Sequence, residues 1–323
     1  MRAAVNTNYG PPEVVTVTDV PVPQPGAGEL LIRVAATTVN RTDCAYRAAR
    51  PFFMRSLTGL RRPKRTILGT EFAGEVVSTG AGVDQFAVGD LVFGYCEGRF
   101  GAHAEYAVAH QTSSVATVPA NLSLTEAAAA TEGFHYARSG LRRAGVRPGD
   151  EVLVNGATGG IGSAAVQQLT AMGVAVTAVC ATEHLDLVRG LGAQHVVDYT
   201  REDFTQLPKQ FHLVFDAVGK SSFGRCRRLL RPDGVYVSSE LGPGWQNLPL
   251  SLVGTVRRGH RRVVFPFPED SQAVVEEIRD HLEAGTFRPV IDRTYDLEDI
   301  AAAHRYVESG RKVGNVVITV ASA

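Results

Sequence analysis

The chain has 323 residues, which at roughly 150 residues per domain predicts two domains, each large enough for its own hydrophobic core. Hydrophobic residues make up 44% and charged residues 20% of the sequence, an ordinary globular composition that excludes a disordered or fibrous protein. Lysine plus arginine and aspartate plus glutamate each number 33, so the chain lacks the overall charge that would favour binding to nucleic acid or to an anionic membrane.

The first 120 residues are predicted to be rich in β-strands. Short β-branched runs recur there between Pro and Gly residues, which is typical of a small barrel or sandwich. One short helix is expected in this region, at Arg41–Ala49. The predicted strands are Val14–Val20, Leu30–Val39, Glu71–Thr79, Leu91–Tyr95, Ala102–Val108 and Ser114–Val118.

After Asn121, strands and helices alternate. Ser123 and Glu126 have the spacing of a capping box and predict the start of a helix. The near-continuous apolar strands that follow are typical of a parallel sheet buried on both faces, so the sequence predicts a doubly wound segment. Its predicted strands are Glu151–Asn155, Ala175–Cys180, His195–Asp198, Leu213–Val218, Val235–Ser239 and Val263–Phe267, and its predicted helices are Gly160–Met172, Glu183–Leu191, Ser222–Leu230 and Ser271–Glu283.

The last part of the chain is predicted to return to the first domain. It is expected to be extended over Pro289–Tyr295, helical over Leu297–Glu308 and extended again over Gly314–Val320. The fold class is therefore α/β. A β-barrel domain is predicted from residues 1–121 and 287–323, and a doubly wound domain from residues 122–286.

The cysteines and the apolar segments indicate the compartment. Cys44, Cys96, Cys180 and Cys226 lie 46 to 84 residues apart, which excludes a disulfide framework and predicts unpaired, mostly buried thiols. The longest apolar stretch in the middle of the chain, Gly173–Ala181, is too short to span a bilayer, and the first residues contain no apolar signal region. We expect a cytoplasmic protein.

A glycine-rich loop joins the predicted strand Glu151–Asn155 to the predicted helix that starts at Gly160. This strand–turn–helix context is what a dinucleotide fingerprint requires. Gly159 and Gly160 would let the backbone approach a pyrophosphate, and Gly162 would let the helix pack close to the strand. The helix N-terminus would offer N–H groups and partial positive charge to the phosphates. A glycine-rich turn without a ligand is the alternative.

The end of the second strand of this segment bears on which dinucleotide is bound. An NAD site usually places Asp or Glu there, about 20 residues after the loop, to hold the ribose 2′-hydroxyl. This strand ends without a carboxylate, and Thr182, His184 and Tyr199 offer hydroxyls and an imidazole instead. Such a pocket suits a 2′-phosphate, so NADPH is favoured over NADH. Glu183 could reverse this preference, and Thr182 could instead be only a helix N-cap.

Short motifs along the sequence carry a family resemblance. They are Thr38–Asp43 (TVNRTD), Ile67–Val77 (ILGTEFAGEVV), Val88–Gly94 (VGDLVFG), Gly159–Gly162 (GGIG), Leu191–Ala193 (LGA), Phe215–Gly219 (FDAVG) and Gly314–Val320 (GNVVITV). In this order they resemble the medium-chain dehydrogenase/reductase superfamily, and within it the zinc-independent, quinone oxidoreductase-like branch. The resemblance covers nearly the whole chain. It implies a GroES-like β-barrel catalytic domain and a Rossmann domain that binds NADP(H).

The same resemblance allows a test for zinc. Alcohol dehydrogenases of this superfamily have a Cys three residues before the Asp of the first motif, and a Gly-His-Glu in the second. This chain has Asn40 and Gly69-Thr70-Glu71 at those positions, and only Cys96 where the four-cysteine structural lobe of the family would lie. Because Zn²⁺ needs three or four correctly placed ligands, we expect no metal.

The resemblance also implies which residues contact the substrate and the cofactor. Asn40 and Asp43 are expected to shape the cleft between the domains. Tyr46, one helical turn after Asp43, is the phenol that could donate a proton or orient the acceptor oxygen, and packing under the barrel is its alternative role. The implied cofactor contacts are Gly159, Gly160 and Ile161 at the pyrophosphate, Thr182, His184 and Tyr199 at the 2′-phosphate, Val218, Gly219 and Asn315 at the nicotinamide ribose, and Tyr136 beside the nicotinamide.

The expected chemistry follows from the expected lack of a metal. Without a Lewis acid, hydrogen bonds must polarise the substrate carbonyl, or the substrate must already accept hydride readily. Quinones and α,β-unsaturated carbonyls meet this requirement, so we expect an NADPH-dependent quinone oxidoreductase or enone reductase. Two alternatives stay open, an enoyl-thioester reductase for CoA or carrier-protein substrates and a non-catalytic NADPH-binding or sensing protein. Five cations between Arg55 and Arg65 would suit the thioester, although a solvated surface loop also explains them.

The expected partner is a small molecule, with no nucleic acid and no membrane. The resemblance also implies a homodimer in which edge strands of the nucleotide-binding domains pair. Val263–Phe267 is the apolar candidate for that edge.

Overall fold

The computed structural model describes residues 1–96, 99–256, 260–267 and 269–320. The chain divides into two compact units. Both helices that flank the doubly wound segment in the sequence belong to the first unit, whereas the sequence analysis grouped residues 122–131 and 270–285 with the second. Unit 1 comprises Met1–Thr131, Asp270–Gly285 and Pro289–Ala323, and unit 2 comprises Glu132–Glu269 and Thr286–Arg288.

The first part of the chain is rich in strands, as predicted. Its helices are α1 (Arg41–Ala48), α2 (Met54–Thr58) and α3 (Leu124–Ala128), and its strands are β1 (Arg2–Val5), β2 (Thr16–Asp19), β3 (Glu29–Val39), β4 (Glu71–Thr79), β5 (Leu91–Tyr95), β6 (Tyr106–His110) and β7 (Val115–Thr117). The predicted capping box is confirmed, because Ser123 Oγ accepts from the backbone N–H of Glu126 at 3.2 Å and the Glu126 carboxylate accepts from the N–H of Ser123.

The middle of the chain alternates helices and strands. Its helices are α4 (Thr131–Ala144), α5 (Gly160–Ala171), α6 (Leu185–Gly190), α7 (Phe223–Cys226) and α8 (Asn247–Val256), and its strands are β8 (Glu151–Asn155), β9 (Ala175–Cys180), β10 (His195–Asp198), β11 (Phe211–Asp216), β12 (Leu230–Ser238) and β13 (Arg262–Val264). These strands form one six-stranded parallel sheet in the order β10-β9-β8-β11-β12-β13. This is the doubly wound Rossmann order, whose switch point lies between β8 and β11.

The last part of the chain contributes α9 (Gln272–Glu283), β14 (Ile291–Asp296), α10 (Ile300–Glu308) and β15 (Asn315–Thr319) to unit 1. Strand β15 pairs antiparallel with β3, so the tail returns to the first part of the chain as predicted. The seven-stranded sheet of unit 1 has the order β14-β15-β3-β4-β5-β7, with β6 paired to β3. A predominantly antiparallel sheet in unit 1 and a parallel sheet in unit 2 confirm the predicted α/β fold class.

Each unit has its own core. In unit 2 the inner strands are apolar along their whole length, and the core includes Leu153, Val179 and Val214, all fully buried. In unit 1 the core lies inside the barrel and includes Leu30, Phe72 and other strand residues. None of the four cysteines forms a disulfide bond and all four are buried, as predicted. Within the described residues, no helix is long and apolar enough to cross a membrane.

Candidate active site

The glycine-rich loop connects β8 to α5 at the carboxyl edge of the sheet in unit 2. Gly156 has a φ of +76°, in the left-handed region that favours glycine. A Cβ on Gly162 would lie 2.1 Å from the carbonyl oxygen of Gly156, so α5 packs directly on the loop backbone. A Cβ on Gly159 would meet no heavy atom outside its chain neighbours nearer than 3.7 Å. The loop therefore has one glycine that packing requires and one that borders open space.

The N-terminus of α5 carries the residues predicted to contact the pyrophosphate. Gly159 is the N-cap residue, and Gly160 and Ile161 are the first two residues of the helix. The N–H of Ser163 donates to the carbonyl of Gly159 at 2.8 Å, which closes the first helical turn. The N–H groups before Ser163 have no acceptor within the helix, and the helix dipole adds positive partial charge there. This helix end therefore has the geometry to hold a diphosphate.

A cluster of hydroxyl groups lies where β9 and β10 end side by side. Thr182 follows β9, and its Oγ1 donates to Asp198 Oδ2 at 2.5 Å and lies 2.9 Å from Thr200 Oγ1. Thr200 donates its N–H and its hydroxyl to Asp198 Oδ1 at 2.9 and 2.7 Å. These hydroxyl groups lower the pKa of the Asp198 carboxyl. The N-cap alternative for Thr182 is wrong, because its hydroxyl bonds across to β10 and no side chain caps α6.

Asp198 is the residue that sequence reasoning missed at this edge. The available signal was its place at the end of the third strand of the doubly wound segment, because carboxyl ends of neighbouring parallel strands meet. Its oxygens already accept hydrogen bonds from both threonines, and Arg201 Nε lies 3.3 Å from Oδ2. A ribose hydroxyl would have to compete with these donors. Asp198 is therefore not open to a ribose in the manner of the carboxylate of an NAD site.

Three further side chains border the hydroxyl cluster. The side chain of Tyr199 is exposed, and its N–H donates to the carbonyl of Cys180 at 3.1 Å, which holds it beside the end of β9. His184 Nε2 lies 3.8 Å from Glu183 Oε1, and the Glu183 side chain is 69% exposed. The structure thus brings Thr182, His184 and Tyr199 to one edge, with the Glu183 carboxylate largely in solvent.

The loop after β11 is organised by Asp216, a fully buried carboxylate. Its Oδ1 accepts from the N–H groups of Val218 and Gly219 at 3.3 and 3.0 Å, and from Asn155 Nδ2 at 3.0 Å. Its Oδ2 accepts from the Tyr236 hydroxyl at 2.8 Å. The pKa of Tyr236 is raised mainly by burial and secondly by the charge of this carboxylate. Asp216 therefore positions the predicted nicotinamide-ribose residues Val218 and Gly219, a role that sequence reasoning did not assign to it.

Helix α4 carries the residue predicted to lie beside the nicotinamide. Tyr136 is half-buried, whereas its neighbours on either side are buried. Its ring centroid lies 4.5 Å from that of His135. The structure places Tyr136 in unit 2, the unit that contains the glycine-rich loop.

In unit 1, Asn40 and Asp43 form a reciprocal capping box at the start of α1. Asp43 Oδ2 accepts from the N–H of Asn40 at 3.1 Å, and Asn40 Oδ1 accepts from the N–H of Asp43 at 3.0 Å. Asp43 Oδ1 also accepts from the N–H of Gly69 at 3.0 Å. Both Asp43 oxygens therefore hold the backbone in place. Asn40 Nδ2 donates one hydrogen to Thr70 Oγ1 at 2.9 Å and keeps a second hydrogen for which the described residues supply no acceptor.

Glu71, at the start of β4, is a second buried carboxylate near this cap. It accepts hydrogen bonds from the hydroxyl groups of Thr38 and Thr131. His103 Nε2 lies 2.7 Å from the carbonyl oxygen of Thr38, a hydrogen-bond distance, and 3.8 Å from Asp43 Oδ2. Within the part of the chain that the structure describes, no group of three His, Cys, Asp or Glu side chains could hold a metal ion.

Two predicted site residues of unit 1 have mainly packing or backbone contacts. Tyr46 is half-buried on α1, and its ring centroid lies 4.5 Å from that of Phe100. Asn315 begins β15, and its Nδ2 donates to the carbonyl of Val290 at 3.1 Å. The contact with Phe100 is what the packing alternative for Tyr46 describes, and the roles of both residues at a ligand stay predictions.

Comparison with known protein families shows which superfamily the chain belongs to. Residues 26–120 match the alcohol dehydrogenase GroES-like domain, and residues 191–318 match a family described as zinc-binding dehydrogenase. A 2-methylene-furan-3-one reductase from Solanum lycopersicum is 32% identical over 331 residues, covering 98% of this chain and 79% of the relative. The chain belongs to the medium-chain dehydrogenase/reductase superfamily. The predicted family is thus confirmed, and the protein is an oxidoreductase with an NAD(P)-binding Rossmann domain.

Solved structures of the superfamily agree in fold. A quinone oxidoreductase from Coxiella burnetii has a TM-score of 0.87 at 26% identity, with 99% of each chain covered. A mycobacterial protein complexed with NADPH has a TM-score of 0.80 at 26% identity, with 99% of this chain and 100% of that chain covered. Members of the superfamily with this fold thus include a quinone oxidoreductase and a protein that binds NADPH.

Proposed function

We propose that this protein reduces quinones or α,β-unsaturated carbonyl compounds with NADPH, without zinc. NADPH, when bound, supplies the hydride. The observation that carries the proposal is the carboxyl edge of the sheet in unit 2, where the open side of the glycine-rich loop and the hydroxyl cluster after β9 suit a diphosphate and a 2′-phosphate. The named activities of the tomato and Coxiella relatives support the reaction type.

The preference for NADPH rests on the surroundings of Thr182. Its hydroxyl, that of Thr200 and the exposed Tyr199 offer hydrogen-bonding groups, and Arg201 balances the charge of Asp198. A dianionic 2′-phosphate can use hydroxyl donors and the imidazole of His184, whereas a ribose 2′-hydroxyl gains most from an open carboxylate.

On the substrate side, Asn40 supplies the polar group that the proposal needs. Its amide keeps one N–H after bonding to Thr70, and the reciprocal cap with Asp43 holds the amide in one orientation. A fixed N–H donor stabilises the negative charge that develops on a carbonyl oxygen when hydride is added to the conjugated system. Tyr46 or water would then supply the proton.

Parallel titrations of the protein with NADPH and NADH, followed by nicotinamide fluorescence, test the cofactor assignment. We expect tighter binding of NADPH, since only its 2′-phosphate can use the hydroxyl cluster. Tighter binding of NADH would contradict the assignment and indicate Glu183 as the ribose ligand. If neither cofactor bound, the oxidoreductase assignment would fail with it.

Steady-state reduction of an acceptor panel tests the reaction. We expect 1,4-benzoquinone and a simple enone to be reduced faster than a crotonyl thioester, and the reverse order would indicate an enoyl-thioester reductase. Asn40→Ser keeps an oxygen that can cap α1 but replaces the amide donor with a shorter hydroxyl group, and kcat should fall about 100-fold. Ser123→Ala, a cap removed from α3, is the matched control and should leave kcat unchanged. Equal rates for wild type and Asn40→Ser would contradict the role of Asn40.

We also propose that the protein is a homodimer paired through β13. This strand is the last one of the sheet of unit 2, and among the described strands it pairs with β12 alone. Light scattering at micromolar concentration should give twice the mass of the chain. A monomeric mass would refute this part of the proposal.

A further inference from the structure

A cavity of about 580 Å³ opens in unit 1 and is lined by none of the residues assigned to the candidate active site. Its volume lies within the range of small-molecule sites in proteins. Its polar lining comes from three arginines and one glutamate, and its apolar lining includes two aromatic rings. These side chains belong to Tyr9, Arg47, Arg50, Phe52, Arg55 and Glu308.

Arg47 forms the inner wall of this cavity and is fully buried. One terminal nitrogen donates to the carbonyl of Gly10, and the other pairs with Glu308. Its Nε has no hydrogen-bond partner among the described residues. Because this nitrogen is buried behind the cavity surface, Arg47 contributes the inner wall and its pair with Glu308 and leaves contact with a ligand to the other two arginines.

Arg55, on α2, is held between two aromatic rings. Its guanidinium carbon lies 5.1 Å from the ring centroid of Tyr9 and 5.0 Å from that of Phe52. The Tyr9 hydroxyl is fixed by Thr58 Oγ1 and by the carbonyl of Gly59, each at 2.7 Å. Arg55 Nε, like Arg47 Nε, has no partner within the described part of the chain. The planar fork of Arg55 is therefore preorganised without an acceptor.

The charges of the lining do not balance. Glu308 is paired with Arg47, while Arg50 and Arg55 have no carboxylate partner among the residues that the structure describes. Two uncompensated positive charges match the two negative charges of a phosphate monoester. Phosphate alone would fill a small part of the volume, and the rings of Tyr9 and Phe52, the latter 75% exposed, offer apolar surface to a larger body.

We propose that this cavity binds an organic phosphate. The phosphate group lies between Arg50 and Arg55, and the apolar part of the molecule lies against Tyr9 and Phe52. This site goes beyond the proposed reductase function, because it uses none of the residues assigned to NADPH or to a quinone or enone acceptor. It holds whether or not the acceptor is a quinone.

Calorimetric titration of the full chain with phenyl phosphate, at fixed ionic strength, tests the proposal. We expect saturable binding, with a weaker response to inorganic phosphate, which lacks the ring. Arg50→Gln and Arg55→Gln should each raise Kd about tenfold, the loss of one charge-assisted hydrogen bond. Because Arg50 is exposed, its variant is expected to fold like the wild type. Arg61→Gln removes an exposed cation of the same segment outside the cavity and should leave Kd within about twofold.

Phosphate bound at the glycine-rich loop must be distinguished from phosphate in the cavity. Gly159→Val fills the open side of that loop and should leave the binding of phenyl phosphate in the cavity unchanged. The proposal is overturned if the wild type shows no saturable binding, if Arg61→Gln weakens binding as much as Arg55→Gln, or if Gly159→Val abolishes it. Because the cavity residues are not those of the loop, retained phosphate binding without NADPH binding would separate this site from the proposed function.

Discussion

Two glycines of the loop after β8 should respond in opposite ways to replacement by alanine. In Gly162→Ala the new Cβ would lie 2.1 Å from the Gly156 carbonyl oxygen and 2.8 Å from its carbon, and backbone cannot move aside as a flexible side chain can. In Gly159→Ala the new Cβ would meet only the Gly156 carbonyl oxygen, at 3.7 Å, and the φ of −72° and ψ of 168° suit alanine. The first substitution strains the fold, and the second fills the space in front of the loop.

The magnitudes follow from these contacts. Because the clash at 2.1 Å is with backbone, the overpacking cost lies at the upper end of its range, about 3 kcal/mol, and alanine inside a helix gains about 1 kcal/mol over glycine. Gly162→Ala should therefore lower the free energy of unfolding by about 2 kcal/mol. Gly159→Ala should leave it unchanged or raise it by up to about 1 kcal/mol, because the unfolded chain loses freedom. NADPH affinity should fall about tenfold in Gly159→Ala, because the added methyl group occupies space that the diphosphate needs.

Urea unfolding followed by the fluorescence of Trp245 measures stability in unit 2, because this is the single tryptophan of the chain. NADPH titration of the folded variants measures affinity. Gly190→Ala is the matched control, since its Cβ would meet no atom within 4 Å, and it should raise stability by about 0.5–1 kcal/mol without changing affinity. Wild-type affinity in Gly159→Ala, or wild-type stability in Gly162→Ala, would refute the assignment of the two glycines.

Three further substitutions test buried groups. Burial, and to a smaller extent the charges of His103 and Arg47, hold the pKa of His304 well below its ordinary 6.5. The unfolded state therefore takes up a proton that the folded state does not, and the free energy of unfolding should fall as the pH drops below about 6.5. In His304→Gln the free energy of unfolding should depend less on pH. Asp216→Asn would leave buried N–H groups facing an amide donor and should lower the free energy of unfolding in urea by about 3 kcal/mol. Thr182→Val should raise the pKa of Asp198, read by NMR titration of its carboxyl carbon, and reduce the preference for NADPH over NADH.

Matched controls keep these three predictions specific. His195→Gln and Asp233→Asn change exposed residues of the same types and should leave stability and its pH dependence close to wild type. Thr170→Val removes a hydroxyl that bonds to the carbonyls of Val166 and Gly192 and should not alter cofactor preference. If a control variant matched its test variant, the effect would come from the substitution type and not from the named contacts.

Strands that depend on a short local run were predictable. Each of the strands β4, β5, β8, β9 and β10 begins and ends at the predicted residue, because it is a mostly buried run bounded by turn-forming residues. Strand β6 begins at Tyr106 and not at Ala102, since the backbone of Ala3 and Ala4 holds the preceding residues in place. Helix α2 was missed because Phe53, its N-cap residue, gives no capping signal.

By itself the sequence determined most strands of the two large sheets and the glycine-rich loop, because these depend on periodicity and on spacing within a few residues, whereas the Asn40 and Asp43 positions followed from the family resemblance. Only the tertiary structure decided what surrounds the carboxylates of the site. Asp216 takes its donors from the ends of β8 and β12 and from its own loop, and Asp198 takes one from the turn after β9. A buried carboxylate is stabilised by whichever N–H and O–H groups the folded chain brings within about 3 Å, and the donors from Thr182, Tyr236 and Asn155 lie 16, 20 and 61 residues away in sequence.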